Sequence, residues 1–363
     1  MSHPSFQPPV ALKNGYSMTL YTALKLSREW HKFSADPEPI HHPHIFTGAG
    51  GVPIFGQVSI PENPKGTIVG TYGITGSLSD QWFLNILRRK AFAQGYAVVL
   101  FDWRAHGKTA ELSPTLTSDG LYEGEDFVRI AAAAKTLGCP APFWFTGYSL
   151  GGQLALWGVE AAQTLNVWGA DLNLKSSELG GGAVVCPSVD SNRSLKYLMD
   201  NHLGRQLEQA ITRQLKKLAW QIYSWHPDSI DRAALERVDS IWAFDHELVI
   251  SRLNFASVED YYDASSPLHR LPHLTKPTLI LYAADDPMFD PSIVPDLQTI
   301  SAENRAIDLR LTTYGGHVGY FSSQTCQQQF QDPDPWWAWN RVLEWIHQQS
   351  QVASSAPSVV EIQ

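Results

Sequence analysis

The sequence predicts an α/β fold: a mostly parallel central sheet, helices on both faces and a helical insertion late in the chain. Three observations predict it. Short apolar runs over 67–72, 96–101, 142–146 and 181–186 alternate with helix-length segments over 81–94, 123–137 and 150–165. Strands separated by helices of that length pair in parallel and bury both faces of the sheet. The alternation stops over 187–271, then the sheet resumes with strands over 278–283 and 307–312. Finally, FWFTGYSLGGQLA (143–155) sets a Gly-x-Ser-x-Gly pentad between an apolar run and a helix-forming run, where a tight reversal lifts the central side chain clear of the sheet.

Taken in order, residues 1–40 form an N-terminal extension, Pro-rich at first, with an amphipathic segment over 17–31 that packs on the domain body and carries no chemistry of its own. The core occupies 41–186 and 272–349. It opens with a hairpin-like pair over 43–47 and 53–59 around the turn 48–51. The cluster His41, His42 and His44 lies among prolines and reads as a solvated strand entry rather than a metal site. Gly73-Ile74-Thr75-Gly76-Ser77 follows the strand at 67–72, and Asp102-Trp103-Arg104-Ala105-His106-Gly107 follows the one at 96–101. Ligands collect at the carboxyl ends of parallel strands. Gly73, Asp102 and Ser149 all fall there.

In the insertion, 187–271, apolar residues Leu195, Met199, Leu203, Leu207, Ile211, Leu215, Leu218 and Ile222 recur at three- and four-residue steps over 194–225. That is a helical stripe, read as a cap that roofs Ser149. Arg205, Arg213, Lys216 and Lys217 leave a peripheral membrane contact open for the same stretch. An aromatic helix over 335–348 closes the core, and the tail 350–363 is expected to be disordered.

Composition narrows the partners. A net charge of -9 with no basic stripe excludes nucleic acid as the main one. Cys139, Cys186 and Cys326 are too few and too scattered for a disulfide framework or a thiolate zinc site. No run reaches the roughly 18 apolar residues of a membrane span, and no basic-then-apolar leader opens the chain, so a soluble, cytoplasmic protein is expected. The 13 Trp, 13 Tyr and 15 Phe predict a heavily aromatic core.

A serine hydroxyl needs a base to take its proton and a carboxylate to orient that base. Ala284-Asp285-Asp286-Pro287 follows the strand at 278–283, and Gly315-Gly316-His317-Val318-Gly319 follows the one at 307–312. The order Ser149, Asp286, His317 is the one expected of hydrolases built on this turn. Asp285 and Asp190 stay open as alternative acids. His106 comes too early in the chain for the base and reads as a structural loop residue. The backbone amides of Leu150 and Ile74 are the expected donors to a developing oxyanion.

Gly73-Ile74-Thr75-Gly76-Ser77, Gly147-Tyr148-Ser149-Leu150-Gly151-Gly152, Phe244-Asp245 with Glu259-Asp260-Tyr261-Tyr262, Ala284-Asp285-Asp286-Pro287 and Gly315-Gly316-His317-Val318-Gly319-Tyr320 together carry a family resemblance. The chain resembles the α/β-hydrolase fold, and within it the YheT-like branch of esterases, which takes in plant embryogenesis-associated proteins and mammalian abhydrolase-domain proteins. The resemblance implies a Ser-Asp-His serine hydrolase acting through an acyl-enzyme on carboxylic esters, lipid or medium-chain esters among them, with no metal or organic cofactor. Its implied partner is a small-molecule ester or lipid. Tyr72 departs from the branch, which usually has His before this glycine. An acyltransferase with the same residues and a non-catalytic binding protein of the same fold stay open as alternatives. No feature of the sequence specifies acyl length, alcohol moiety or oligomeric state.

Overall fold

A computed structural model describes residues 5–355. Eight strands form one sheet in the order β1-β2-β4-β3-β5-β6-β7-β8. They are β1 (His42–Thr47), β2 (Pro53–Ser59), β3 (Thr67–Thr71), β4 (Ala97–Phe101), β5 (Phe143–Tyr148), β6 (Leu179–Val185), β7 (Thr278–Ala283) and β8 (Ile307–Thr312). β2 runs antiparallel to β1 and β4, and every pairing from β4 through β3 to β8 is parallel. β3, β4 and β7 are buried at every residue, which is why they read as unbroken apolar runs rather than as alternating ones.

β5 extends two residues past its expected end at 146, because Gly147 pairs with Thr71 and Tyr148 with Val185. The sheet therefore holds the chain right up to Ser149. Of the flanking helices, α1 (Gly15–Tyr21) precedes the sheet, and α2 (Trp82–Ala93), α3 (Glu123–Thr136) and α4 (Leu150–Gln163) join its strands. α3 and α4 pack side by side.

Between β6 and β7 the chain is helical: α5 (Ser191–Asp200), α6 (His202–Trp225), short turns and α7 (Val258–Ser265). Leu215, Leu218, Ile222, Leu235, Phe244 and Tyr261 of this insertion share a second hydrophobic cluster with Ala105, Ala110 and Leu116 from the segment between β4 and α3. The stripe over 194–225 is two helices, not one. Asn201 is extended (φ -127°, ψ 156°), and its side chain accepts the Gly204 N–H at 2.7 Å, so an N-cap restarts the helix without breaking the apolar period.

After β7 come α8 (Ile293–Glu303) and, past β8, α9 (Trp337–Ser355), which lies against α2, β6 and β7. Trp336, Trp337, Trp339 and Trp345 are buried here, and Trp339 Nε1 donates to Phe83 O at 2.8 Å. The expected disordered tail needs correcting at its start. Residues 350–355 continue α9, since no Gly or Pro interrupts 338–355 and the segment is rich in helix formers. Residues 356–363 of that expectation lie outside the described residues.

Candidate active site

β5 delivers the chain to Ser149, and α4 starts at the next residue. Ser149 has φ 54° and ψ -129°, a region that non-glycine residues enter only under constraint. Two close approaches hold the reversal. A Cβ on Gly147 would lie 2.2 Å from the Gly151 carbonyl oxygen, and one on Gly151 would lie 2.3 Å from that of Tyr72. Only glycine leaves room for these backbones to meet.

The loops after β7 and β8 bring the other two groups. His317 Nε2 is 2.9 Å from Ser149 Oγ, and His317 Nδ1 is 2.9 Å from Asp286 Oδ2. An ionised carboxylate only accepts, so Nδ1 carries the proton and the Nε2 lone pair faces the serine hydroxyl. Asp286 is 4% exposed, and its other oxygen accepts the Met288 N–H at 2.9 Å. The alternative acids are occupied elsewhere. Asp285 Oδ1 accepts the Gly316 N–H at 2.9 Å, and Asp190 caps α5 while pairing with Arg193 at 2.6 Å.

The N-terminal extension also reaches this loop, which corrects the expectation that it is uninformative about the chemistry. The His317 N–H donates to Thr19 Oγ1 at 2.8 Å, and that hydroxyl donates to Gly15 O at 2.7 Å. No local signal in the sequence announces a contact across 298 residues.

Ile74 and Leu150 line the same cavity as Ser149. Leu150 is the first residue of α4, where amides have no helical carbonyl to reach. The Ile74 loop is held from behind. Thr75, at φ 70°, donates its N–H to His106 Nε2 at 3.1 Å, while His106 Nδ1 lies 2.9 Å from Arg104 O. His106 is 2% exposed and stacks on Trp103 at 3.6 Å between ring centroids. Burial pushes its pKa down to about 4, so the neutral ring donates to the carbonyl and accepts from Thr75. Gln81, which accepts the Tyr148 hydroxyl, sits on the other side of Thr75. Tyr72 donates to Asp102 Oδ1 at 2.6 Å, and Asp102 also accepts the Leu78 and Lys108 amides. Asp102 thus anchors the loop through Tyr72, Leu78 and Lys108.

The cavity over Ser149 holds about 120 Å³, with walls from Leu195, Leu198, Leu215, Phe244 and Phe289. Among the described residues no group of three or more His, Cys, Asp and Glu could hold a metal ion, and no helix is long and apolar enough to cross a membrane.

Residues 72–327 match the alpha/beta hydrolase family. The chain belongs to that family. It is 53% identical over 352 residues to "Putative esterase slr0264" of Synechocystis sp., covering 96% of this chain and 95% of that one. "Putative esterase YheT" of Escherichia coli is 28% identical over 301 residues, covering 80% and 81%. These relatives put this alpha/beta hydrolase in the YheT-like branch. Among solved structures, the esterase Pf2001 of Pyrococcus furiosus superposes with a TM-score of 0.50 at 16% identity, over 88% of this chain and 94% of that one, a likeness of fold.

Proposed function

We propose that this protein is a carboxylic ester hydrolase working through Ser149, His317 and Asp286. The observation that carries the reading is the run of hydrogen bonds from Ser149 Oγ to His317 and on to Asp286, each 2.9 Å long, at the floor of an apolar cavity. His317 Nε2 takes the Ser149 proton as Oγ attacks the ester carbonyl carbon, while Asp286 steadies the imidazolium. The amides of Ile74 and Leu150 hold the carbonyl oxygen as it gains charge. His317 then returns the proton to the leaving alcohol, and water repeats the cycle on the acyl-enzyme to release the acid.

The apolar walls suit the hydrocarbon part of a lipid or medium-chain ester. We read residues 187–271 as the cap that supplies most of those walls, with Phe289 contributed by the core. The exposed Arg205, Arg213 and Lys217 of α6 would face an anionic membrane surface. Three free, buried cysteines suit the cytoplasm.

The deciding experiment pairs p-nitrophenyl esters of graded chain length with a fluorophosphonate probe. Wild type should turn over the esters and take the label, and Ser149→Ala should do neither. Labelling retained by Ser149→Ala would overturn the assignment of the nucleophile.

A further inference from the structure

One wall of the cavity is not apolar. Asp119, in the loop before α3, and Asp245, which opens the helical turn Asp245–Val249, line it together with Tyr262 of α7. Asp119 is 8% exposed and Asp245 5%. Two neighbouring buried acids are well supplied. Glu123 accepts from the Thr117 and Ser118 hydroxyls and from the Ser118 and Gly120 amides. Asp126 takes two guanidinium bonds from Arg104 and the Ala49 amide.

Asp245 has far less. Its Oδ2 accepts the Tyr262 hydroxyl at 2.5 Å, and Oδ1 has no donor among the described residues. A carboxyl offers about four acceptor sites when ionised and an O–H donor when protonated, and Asp245 presents this capacity at the cavity wall. Nothing in the proton transfer from Ser149 to His317 uses this group. Resting on the proposed hydrolase reading, we propose that Asp245, with Asp119 on the same wall, binds a hydroxyl carried by the substrate chain that fills the cavity, so that hydroxylated esters are preferred to plain alkyl ones.

The electrostatics suit a hydroxyl. Burial first, and then the charge of Asp119, raise the Asp245 pKa well above the carboxylate range, and burial followed by Glu123 lifts Asp119 to about 6. Near neutral pH the wall therefore changes its proton count easily. A hydroxyl donates to an ionised carboxyl and accepts from a protonated one, so it is served in either state, whereas a carboxylate on the substrate adds like charge.

The test compares p-nitrophenyl ω-hydroxyalkanoates with the matching alkanoates over about four to eight carbons. A second arm compares butyrate esters of α,ω-diols with those of plain alcohols, and so tells an acyl hydroxyl from an alcohol-side one. At the best chain length in one arm, wild type should favour the hydroxylated substrate by about tenfold or more in kcat/KM, since a site built to bind a hydroxyl rejects the analogue lacking it. Asp245→Leu should reverse that preference and Asp245→Asn should reduce it. A binding arm needs no turnover: Ser149→Ala should bind ω-hydroxyoctanoate more tightly than octanoate by calorimetry. That preference without any ester turnover would sink the hydrolase reading and leave this inference standing. Equal or poorer handling of the hydroxylated compound in all three arms, or a preference that survives Asp245→Leu, overturns the inference.

Discussion

The backbone N–H of His317 donates to the hydroxyl of Thr19 at 2.8 Å, which ties the loop after β8 to the N-terminal helix. The imidazole on that backbone makes two further 2.9 Å contacts, to Ser149 and Asp286. Thr19→Val keeps the shape and removes the acceptor. Leaving a partly buried N–H unpaired costs about 1–3 kcal/mol, and a slight drift of the ring away from Ser149 lowers the rate steeply. We expect kcat for ester hydrolysis to fall by roughly tenfold with KM within about twofold, and Thr19→Ser to restore it. Steady-state kinetics on the three proteins decides this, and unchanged kcat in Thr19→Val removes Thr19 from the positioning of His317.

Much of this arrangement is legible in the sequence, for a physical reason. β7 is found at its expected bounds because its apolar run stops abruptly at Asp285, and β8 because Ile307, Leu309 and Leu311 alternate with Asp308 and Arg310 up to the glycines of the next loop. Ser149, Asp286 and His317 stand at strand ends, so the motif and the strand each locate the other. Thr19 has no such marker, because an acceptor for a distant amide leaves no local pattern. Asn201 was hidden by the apolar period that runs through it, although its cap on Gly204 is a local signal. The hydrogen bond from Thr75 to His106 is likewise a product of the fold, since two successive loops must meet for it to form.

Asp285 and Asp286 are adjacent in sequence but not equivalent in the structure. Asp286 Oδ2 meets the His317 ring, while Asp285 Oδ1 holds only the Gly316 backbone. Asp286→Asn should lower kcat by about 10⁴-fold, because the amide stabilises the wrong imidazole tautomer. Asp285→Asn keeps an acceptor for Gly316 and should stay within about tenfold of wild type. Comparable losses in the two variants would refute the division of roles.

Arg104 and Asp126 form a buried pair, 4% and 0% exposed, with the Ala49 amide and carbonyl closing the group. Arg104→Ala strands the carboxylate and should cost about 3–5 kcal/mol in urea unfolding. Replacing both by apolar residues of similar volume, Arg104→Met with Asp126→Leu, should recover most of that loss. A double variant no more stable than the single one would mean that the Ala49 contacts, not the stranded charge, set the cost.

His106 predicts a pH dependence of stability whose sign follows from its burial. Its folded pKa of about 4 lies below the ordinary 6.5, so between those values the unfolded chain binds the extra proton. The contribution is therefore neutral above pH 6.5 and turns against the folded state as pH falls toward 4. The full difference is worth about 3 kcal/mol, of which some 2 to 3 kcal/mol should be felt at pH 4.5. Asp119, raised to about 6, acts in the opposite direction, favouring the fold as pH falls. A comparison with His106→Gln cancels that shared term, since glutamine keeps an acceptor for the Thr75 amide but does not titrate. Urea unfolding at pH 7 and pH 4.5 should show wild type losing about 2 kcal/mol more than His106→Gln. Equal losses would mean that His106 is not held neutral behind the Ile74 loop.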